Sequence, residues 1–263
     1  MELNMHDVGQ LVTCLGIVSN MTAKNPCYTE ADLQWAYKVA KNQILDGRNR
    51  KPFTNKGNHK LYKNTFIYDL PSIITCKYAC KSCYAIKAER IRPQARCGRL
   101  ANLLLLEFAK VNKLWYIEYI NRMVNQIENK VLKNPSEEYQ LRLHASGDIY
   151  CDEYLKFILL LCSKLEHLHN VKIYTYTKQL DNKLIDYINK NTHNLNIVKS
   201  MIEINGKQYI NYGSKDYINQ LANTLQDHGM KYHVCDYGQA GAHTCMKDCK
   251  ACLNCDHVLF IKH

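Results

Sequence analysis

The stretch LRLHASGDIYCDEYLKFILLLCSKLEHLHNVKIYTYTK, Leu141–Lys178, decides the fold class. Leu141 to Ala145 is a short apolar run with strand character, Asp152 to Leu165 carries apolar residues at helical spacing, and Val171 to Thr177 is rich in β-branched and aromatic residues. The alternation continues outward. Downstream, the spacing predicts a helix at Leu180–Asn191, a strand near Asn196–Ile204, a helix over Lys215–Gln226 and a strand at Lys231–Cys235. Upstream lie one long or broken helix from about Arg99 to Val131 and a strand at Phe66–Leu70, closed by Pro71. A further helix is expected near Ala31–Leu45. Strands alternating with helices of this length imply βαβ units: an α/β protein with a mainly parallel sheet, open or closed into a partial barrel. In such folds ligands gather at the carboxyl ends of the strands. The residues to watch are therefore Ser72 to Cys76, His144 to Asp148, Thr177 with Lys178, Ser200 to Glu203, and Cys235.

The chain has 263 residues, 46% of them hydrophobic, with 13 cysteines, 5 prolines and 11 glycines. Such a chain can bury a sizeable core without disulfide staples. No window approaches the roughly 18 apolar residues a membrane-crossing helix needs, so no membrane partner is expected. The apolar run Leu11–Val18 follows Glu2 and Asp7 rather than Lys or Arg, so a signal peptide is not expected and the cytoplasm is the expected compartment. There thiols stay reduced, and the cysteines are better read as metal ligands than as a disulfide framework. The net charge is +11. All of it lies between Lys41 and Arg99, where fourteen basic residues face three acids, Asp46, Asp69 and Glu89. One electropositive segment on a neutral remainder suits an anionic ligand or nucleic acid; a solvated lysine-rich loop is the plainer reading.

Cys76, Cys80 and Cys83 have the spacing C-x3-C-x2-C. Thiolates are soft ligands, and three on one tight loop can hold three corners of a 4Fe-4S cubane, leaving the fourth iron open. This is the spacing of the radical S-adenosylmethionine enzymes, in which the cofactor chelates that open iron. The alternative is a zinc knuckle that borrows a fourth ligand such as Cys97 or His59. The motif's place after a strand, before a long helix and ahead of four more strands matches a barrel whose first loop carries the cluster. Two features depart from that superfamily: the residue before the third cysteine is Ser82, with the aromatic Tyr84 following it, and no glycine-rich cofactor contact is obvious. His144-Ala-Ser146-Gly147-Asp148 is the best substitute for that contact.

A closer resemblance rests on Leu70-Pro71, the Cys76/Cys80/Cys83-Tyr84-Ala85 group, Asn102, LRLHASGDIY and Ile173–Lys178. Together these resemble the phage and prophage gene 88 product family over about Phe66 to Cys255. The resemblance implies a partial (β/α) barrel of radical S-adenosylmethionine type, expressed in a phage-infected or prophage-bearing bacterial cell. The expected activity is reductive cleavage of S-adenosylmethionine to a 5'-deoxyadenosyl radical. The radical would act on a small molecule, nucleotide or nucleic acid, and an external donor, flavodoxin or ferredoxin, would supply the electron. The competing function is a zinc-containing nucleic-acid-binding phage protein without catalytic activity.

A second constellation comprises Cys235, Cys245, Cys249, Cys252 and Cys255. Its Cys245/Cys249/Cys252 spacing repeats the first motif. Only eight residues follow Cys255, so the first group is assigned to the cofactor and the second to an auxiliary 4Fe-4S cluster or structural zinc. The organisation expected is an extension over 1–65, a core over 66–234 and a cysteine-rich segment over 235–263. Cys14, Cys27, Cys151 and Cys162 read as small core residues and Cys97 as a spare.

Around the site, His144 and Asp148 are the acid/base candidates; the alternative is that His144 caps its strand and Asp148 the helix beginning near Cys151. Tyr84, Ser146, Gly147 and Lys178 are cofactor-binding candidates, Lys178 for a carboxylate or phosphate. Arg90, Arg92, Arg96 and Arg99 suit the same anions.

Overall fold

The computed structural model describes residues 5–25, 27–46, 52–54, 61, 63–78, 83–179, 181–235, 250–255 and 257–261. The chain divides into two compact units. The first comprises Met1–Thr54, Tyr68–Lys133 and His144–Leu161; the second, Asn55–Ile67, Asn134–Leu143 and Cys162–His263.

Unit one is built on helices. α1 (Met5–Thr22) and α2 (Glu30–Asp46) pack against α5 (Pro93–Val111). α1 buries Leu11, Cys14, Val18 and Thr22, and α2 buries Leu33, Ala36, Ala40 and Ile44, each a three-or-four-residue stripe. α5 starts with Pro93 at its first turn, where a missing N–H costs nothing, and is buried from Leu100 to Ala109. The long helical run breaks at Asn112, whose Oδ1 accepts from Trp115 N at 2.9 Å and caps α6 (Lys113–Val131). Two short helices, α3 (Ser72–Thr75) and α4 (Tyr84–Ile91), flank the first cysteine loop. α7 (Asp152–Leu165) begins in this unit.

Unit two holds a four-strand parallel sheet in the order β1 (Thr65–Tyr68), β2 (Tyr139–Leu143), β3 (Val171–Thr177), β4 (Leu195–Lys199), with Tyr68 itself grouped with unit one. Leu141 pairs with Ile173, which pairs with Leu195. The strands are buried on both faces, as expected of parallel strands connected by helices. α8 (Asn182–Asn191), capped by Asp181, joins β3 to β4. This is the mixed α/β architecture the alternation predicts. The expected continuous strand to Ile204 breaks at Ser200: β5 (Met201–Ile204) turns at Asn205-Gly206 and pairs antiparallel with β6 (Lys207–Ile210). Both turn residues have positive φ, 49° and 75°, the conformation that an Asn-Gly hairpin supplies. β7 (Tyr212–Gly213), β9 (His257–Ile261) and β8 (Tyr232–Cys235) form a separate three-strand sheet with β9 central and parallel to both neighbours. α9 (Lys215–Asp227), capped by Ser214, and α10 (Ala251–Asn254) complete the unit. Among the described residues no strand pairing closes a barrel. No described helix is long and apolar enough to cross a membrane.

Candidate functional site

The first cysteine loop is held at both ends by one buried carboxylate. Glu89, on α4 six residues after Cys83, has no exposed surface. Its Oε1 accepts from the backbone N of Ser72 at 2.8 Å, from Ser146 Oγ at 3.1 Å and from Arg99 Nη1 at 2.9 Å, and its Oε2 accepts from Tyr28 Oη at 2.6 Å. Ser72 opens α3, which leads directly into Cys76; Cys83 is the N-cap of α4. Cys76 and Cys83, both half-buried, therefore leave from segments that Glu89 ties together.

The segment after β2 joins the same network. Leu70 N donates to Ser146 O at 3.0 Å, Ser146 Oγ donates to Leu70 O at 2.9 Å, and Ser146 N donates to Asp69 Oδ1 at 2.9 Å. Asn102 Nδ2 donates to Asp69 O at 2.9 Å. Leu70, Asn102 and Ser146, which carry the family resemblance, thus meet around one turn. Gly147 lies here at φ +87°, and a Cβ on it would fall 2.7 Å from both Leu70 Cβ and Thr75 Oγ1. Only glycine fits that close approach. Tyr84, exposed, donates its hydroxyl to Ala145 O and so spans from the last cysteine to the same segment.

His144 is buried at φ 61°, with Nε2 2.7 Å from Tyr154 Oη. Burial pushes its pKa down to about 3, so the ring is neutral at ordinary pH. It holds the end of β2 in place and carries no charge to pass on. Asp148, also buried, accepts from Ile149 N at 2.7 Å, and its own N donates to Thr75 Oγ1 at 3.3 Å. These bonds lie in the turn after Gly147. Lys178 is half-buried immediately after β3 in unit two.

Of the four arginines read as anion ligands, two are committed internally. Arg96 makes a two-point contact with Asp32, 3.0 Å from Nε to Oδ2 and 2.9 Å from Nη2 to Oδ1. Burial raises the Asp32 pKa, but the bonds from Arg96, Cys97 and Thr29 outweigh it and hold the carboxyl at about 2. Arg99 bridges Glu89 and Asp69. Arg90 and Arg92 remain exposed. These buried ion pairs could not be found from sequence, because the partners lie on different elements; the signal available was two acids in a basic segment.

Of the isolated cysteines, Cys14, Cys97 and Cys162 are buried in the core, whereas Cys27 and Cys151, also expected there, are only half-buried. Burial pushes Cys14 up to about 11 and Cys97 up to about 12, and also raises Cys27, Cys151 and Cys162. Cys97 donates to Asp32 Oδ1 at 3.1 Å, so the spare is occupied. His59, the other borrowed ligand considered, lies outside the described residues, as does Cys80.

In unit two, Cys235, Cys252 and Cys255 pack around one apolar cluster with Tyr174, Val198 and Val258. Tyr176 Oη donates to Cys252 Sγ at 2.6 Å, and Asn196 Nδ2 donates to Cys252 O at 2.9 Å and Cys255 O at 3.1 Å. Cys245 and Cys249 lie outside the described residues. Among the described residues no three His, Cys, Asp or Glu side chains converge on a metal-binding point.

Cys76 and Cys83 are half-buried thiols at the ends of the loop, and two buried atoms in the flanking segments, Ser72 Oγ and Asn102 Oδ1, have no hydrogen-bond partner among the described residues. The molecule is thus a mixed α/β protein in which a cysteine-bearing loop is braced by a buried polar network. The chain matches the Gene product 88 family model over residues 40–258, and it belongs to that family. No curated protein and no solved structure matches it.

Proposed function

We propose that the protein is a radical S-adenosylmethionine enzyme on an open, partial (β/α) barrel, with Cys76, Cys80 and Cys83 holding a 4Fe-4S cluster. The observation that carries this reading is the bracing of both ends of the C-x3-C-x2-C loop by Glu89, in a network that also fixes Ser146 and Gly147 after β2. A site-differentiated cluster, when bound, supplies an electron to S-adenosylmethionine drawn from a flavodoxin- or ferredoxin-type donor. The chain's own residues set the geometry. Glu89 holds the loop ends, Gly147 lets the post-β2 backbone approach Leu70 and Thr75, and Tyr84 ties the loop to Ala145. His144 and Asp148, the acid/base candidates, act as positioning groups: both are buried, His144 against Tyr154 and Asp148 in the turn after Gly147.

Cys249, Cys252 and Cys255, joined by Cys235 or Cys245, supply the four thiolates of the second site, an auxiliary cluster or structural zinc, with Tyr176 donating to the Cys252 sulfur. Anaerobic reconstitution with iron and sulfide tests the assignment. It should give about eight irons per chain for two cubanes, or about four with one zinc. The reduced protein should convert S-adenosylmethionine to methionine and 5'-deoxyadenosine. A protein that retains zinc alone, and releases neither product under dithionite, overturns the reading in favour of the zinc-containing nucleic-acid-binding alternative.

A further inference from the structure

From Asp69 to Leu106 the sequence has two acids, Asp69 and Glu89, and both are turned inward onto Arg99. Arg96 is likewise spent on Asp32. The charged residues of this stretch that remain at the surface are of one sign: Lys77, Lys87, Arg90 and Arg92 are exposed, and none makes an ion pair among the described residues. Aromatic rings lie among them. Tyr78 is 45% exposed and Tyr84 63%. On α4 the pattern is helical: Tyr84, Lys87 and Arg90 recur every three residues on the outer side, while Ala85 and Glu89 are buried. An internally compensated network thus carries an uncompensated outer face.

Cations that meet a backbone, interleaved with exposed rings on which bases stack, are the composition of a single-strand nucleic-acid surface. We propose that single-stranded nucleic acid binds across Lys77, Tyr78, Tyr84, Lys87, Arg90 and Arg92, and so names the substrate class of the site. This rests on the reading of the adjacent loop as the reaction centre. Polyanion attraction alone would need only the cations; the exposed rings favour a strand whose bases are free to stack over a duplex, which keeps its bases inside.

The test uses the reconstituted chain and a fluorescent mixed-sequence single-stranded oligonucleotide, with anisotropy followed across a salt series. Replacing Lys87, Arg90 and Arg92 together by Gln removes three phosphate contacts. The slope of log K against log salt should flatten by about 2, from roughly 0.7 per contact on single strands. Tyr78→Ala should weaken binding about tenfold at constant slope, since stacking releases no counterions. A duplex of the same sequence should bind more weakly and be indifferent to Tyr78→Ala. Absence of binding, an unchanged slope in the triple variant, or equal affinity for duplex overturns the proposal. Iron content and S-adenosylmethionine cleavage are measured in parallel on the parent protein without nucleic acid, and these report on the enzyme reading independently of any strand binding. Failure of the binding proposal is thereby distinguished from failure of the enzyme reading.

Discussion

The two cysteine-bearing regions are anchored by opposite means. In unit one, Cys76 and Cys83 leave segments held by a buried carboxylate with four donors around it, and they stand half-buried beside an exposed cationic face. In unit two, Cys235, Cys252 and Cys255 are set into an apolar cluster under β9, with side-chain donors from Tyr176 and Asn196 directed at the cysteines themselves. Polar anchoring fixes direction, since each hydrogen bond has a preferred line. Apolar packing excludes water, which suits a site that holds its metal closed. Under the proposed function, the first region is the one that would carry open chemistry and the second the one that would hold a closed, structural or relay centre.

The sharpest way to break this contrast is Glu89→Ala. It takes from Arg99 the nearer of its two carboxylates and from Ser72 N, Ser146 Oγ and Tyr28 Oη their shared acceptor, and should cost about 3–5 kcal/mol, as removal of one member of a buried ion pair does. Chemical denaturation measures that loss. Under conditions where the variant remains folded, metal retention should fall at the first cysteines and persist at the C-terminal ones. Equal loss at both would erase the distinction. Gly147→Ala comes next, at roughly 1–3 kcal/mol for the positive φ alone, with further cost from overlap with Leu70 and Thr75. Its effect should be confined to the first site.

The converse test is Asn196→Ala. It removes two bonds to the carbonyls of the α10 turn, should cost about 1–2 kcal/mol, and should loosen metal at the second site alone. Metal content by site, read in variants lacking the other cysteine set, checks both.

The smallest effect is that of pH. The folded pKa of His144 is about 3, below its unfolded value of about 6.5. The unfolded chain therefore takes up the proton first. Stability is present in full above about pH 6.5 and is eroded as pH falls towards 3. Between pH 7.5 and 5.5 the loss should be about 1 kcal/mol by linkage. His144→Asn, which tolerates the left-handed backbone, should flatten that slope, and an unchanged pH profile would show that His144 is not the group responsible.

Local period made much of the fold legible. β3 and α7 fall where their apolar spacing puts them, and the helical run after Arg99 breaks at an asparagine that caps the next helix. α1 was hidden because Val12 and Ile17, both exposed, fill the gaps between its buried residues and turn a helical stripe into a plain apolar run. The β5–β6 hairpin was missed although Asn205-Gly206 announces it. β9 is five residues long and follows directly on the C-terminal cysteines, too short a run to show a period by itself. At the site, the cysteine spacing and the H-A-S-G-D segment stood out as motifs. Glu89 did not: its importance comes from partners 10, 17, 57 and 61 residues away in sequence, contacts that only tertiary structure creates.

The central claim is that the first loop carries a cluster with one iron open to S-adenosylmethionine. Electron paramagnetic resonance of the reduced, reconstituted protein, titrated with S-adenosylmethionine, tests it most directly. The account predicts a change in the cluster signal that saturates with the cofactor and is lost in Cys80→Ala, while the C-terminal signal, if the second site holds iron, is unaffected. A spectrum indifferent to S-adenosylmethionine in the parent protein contradicts it.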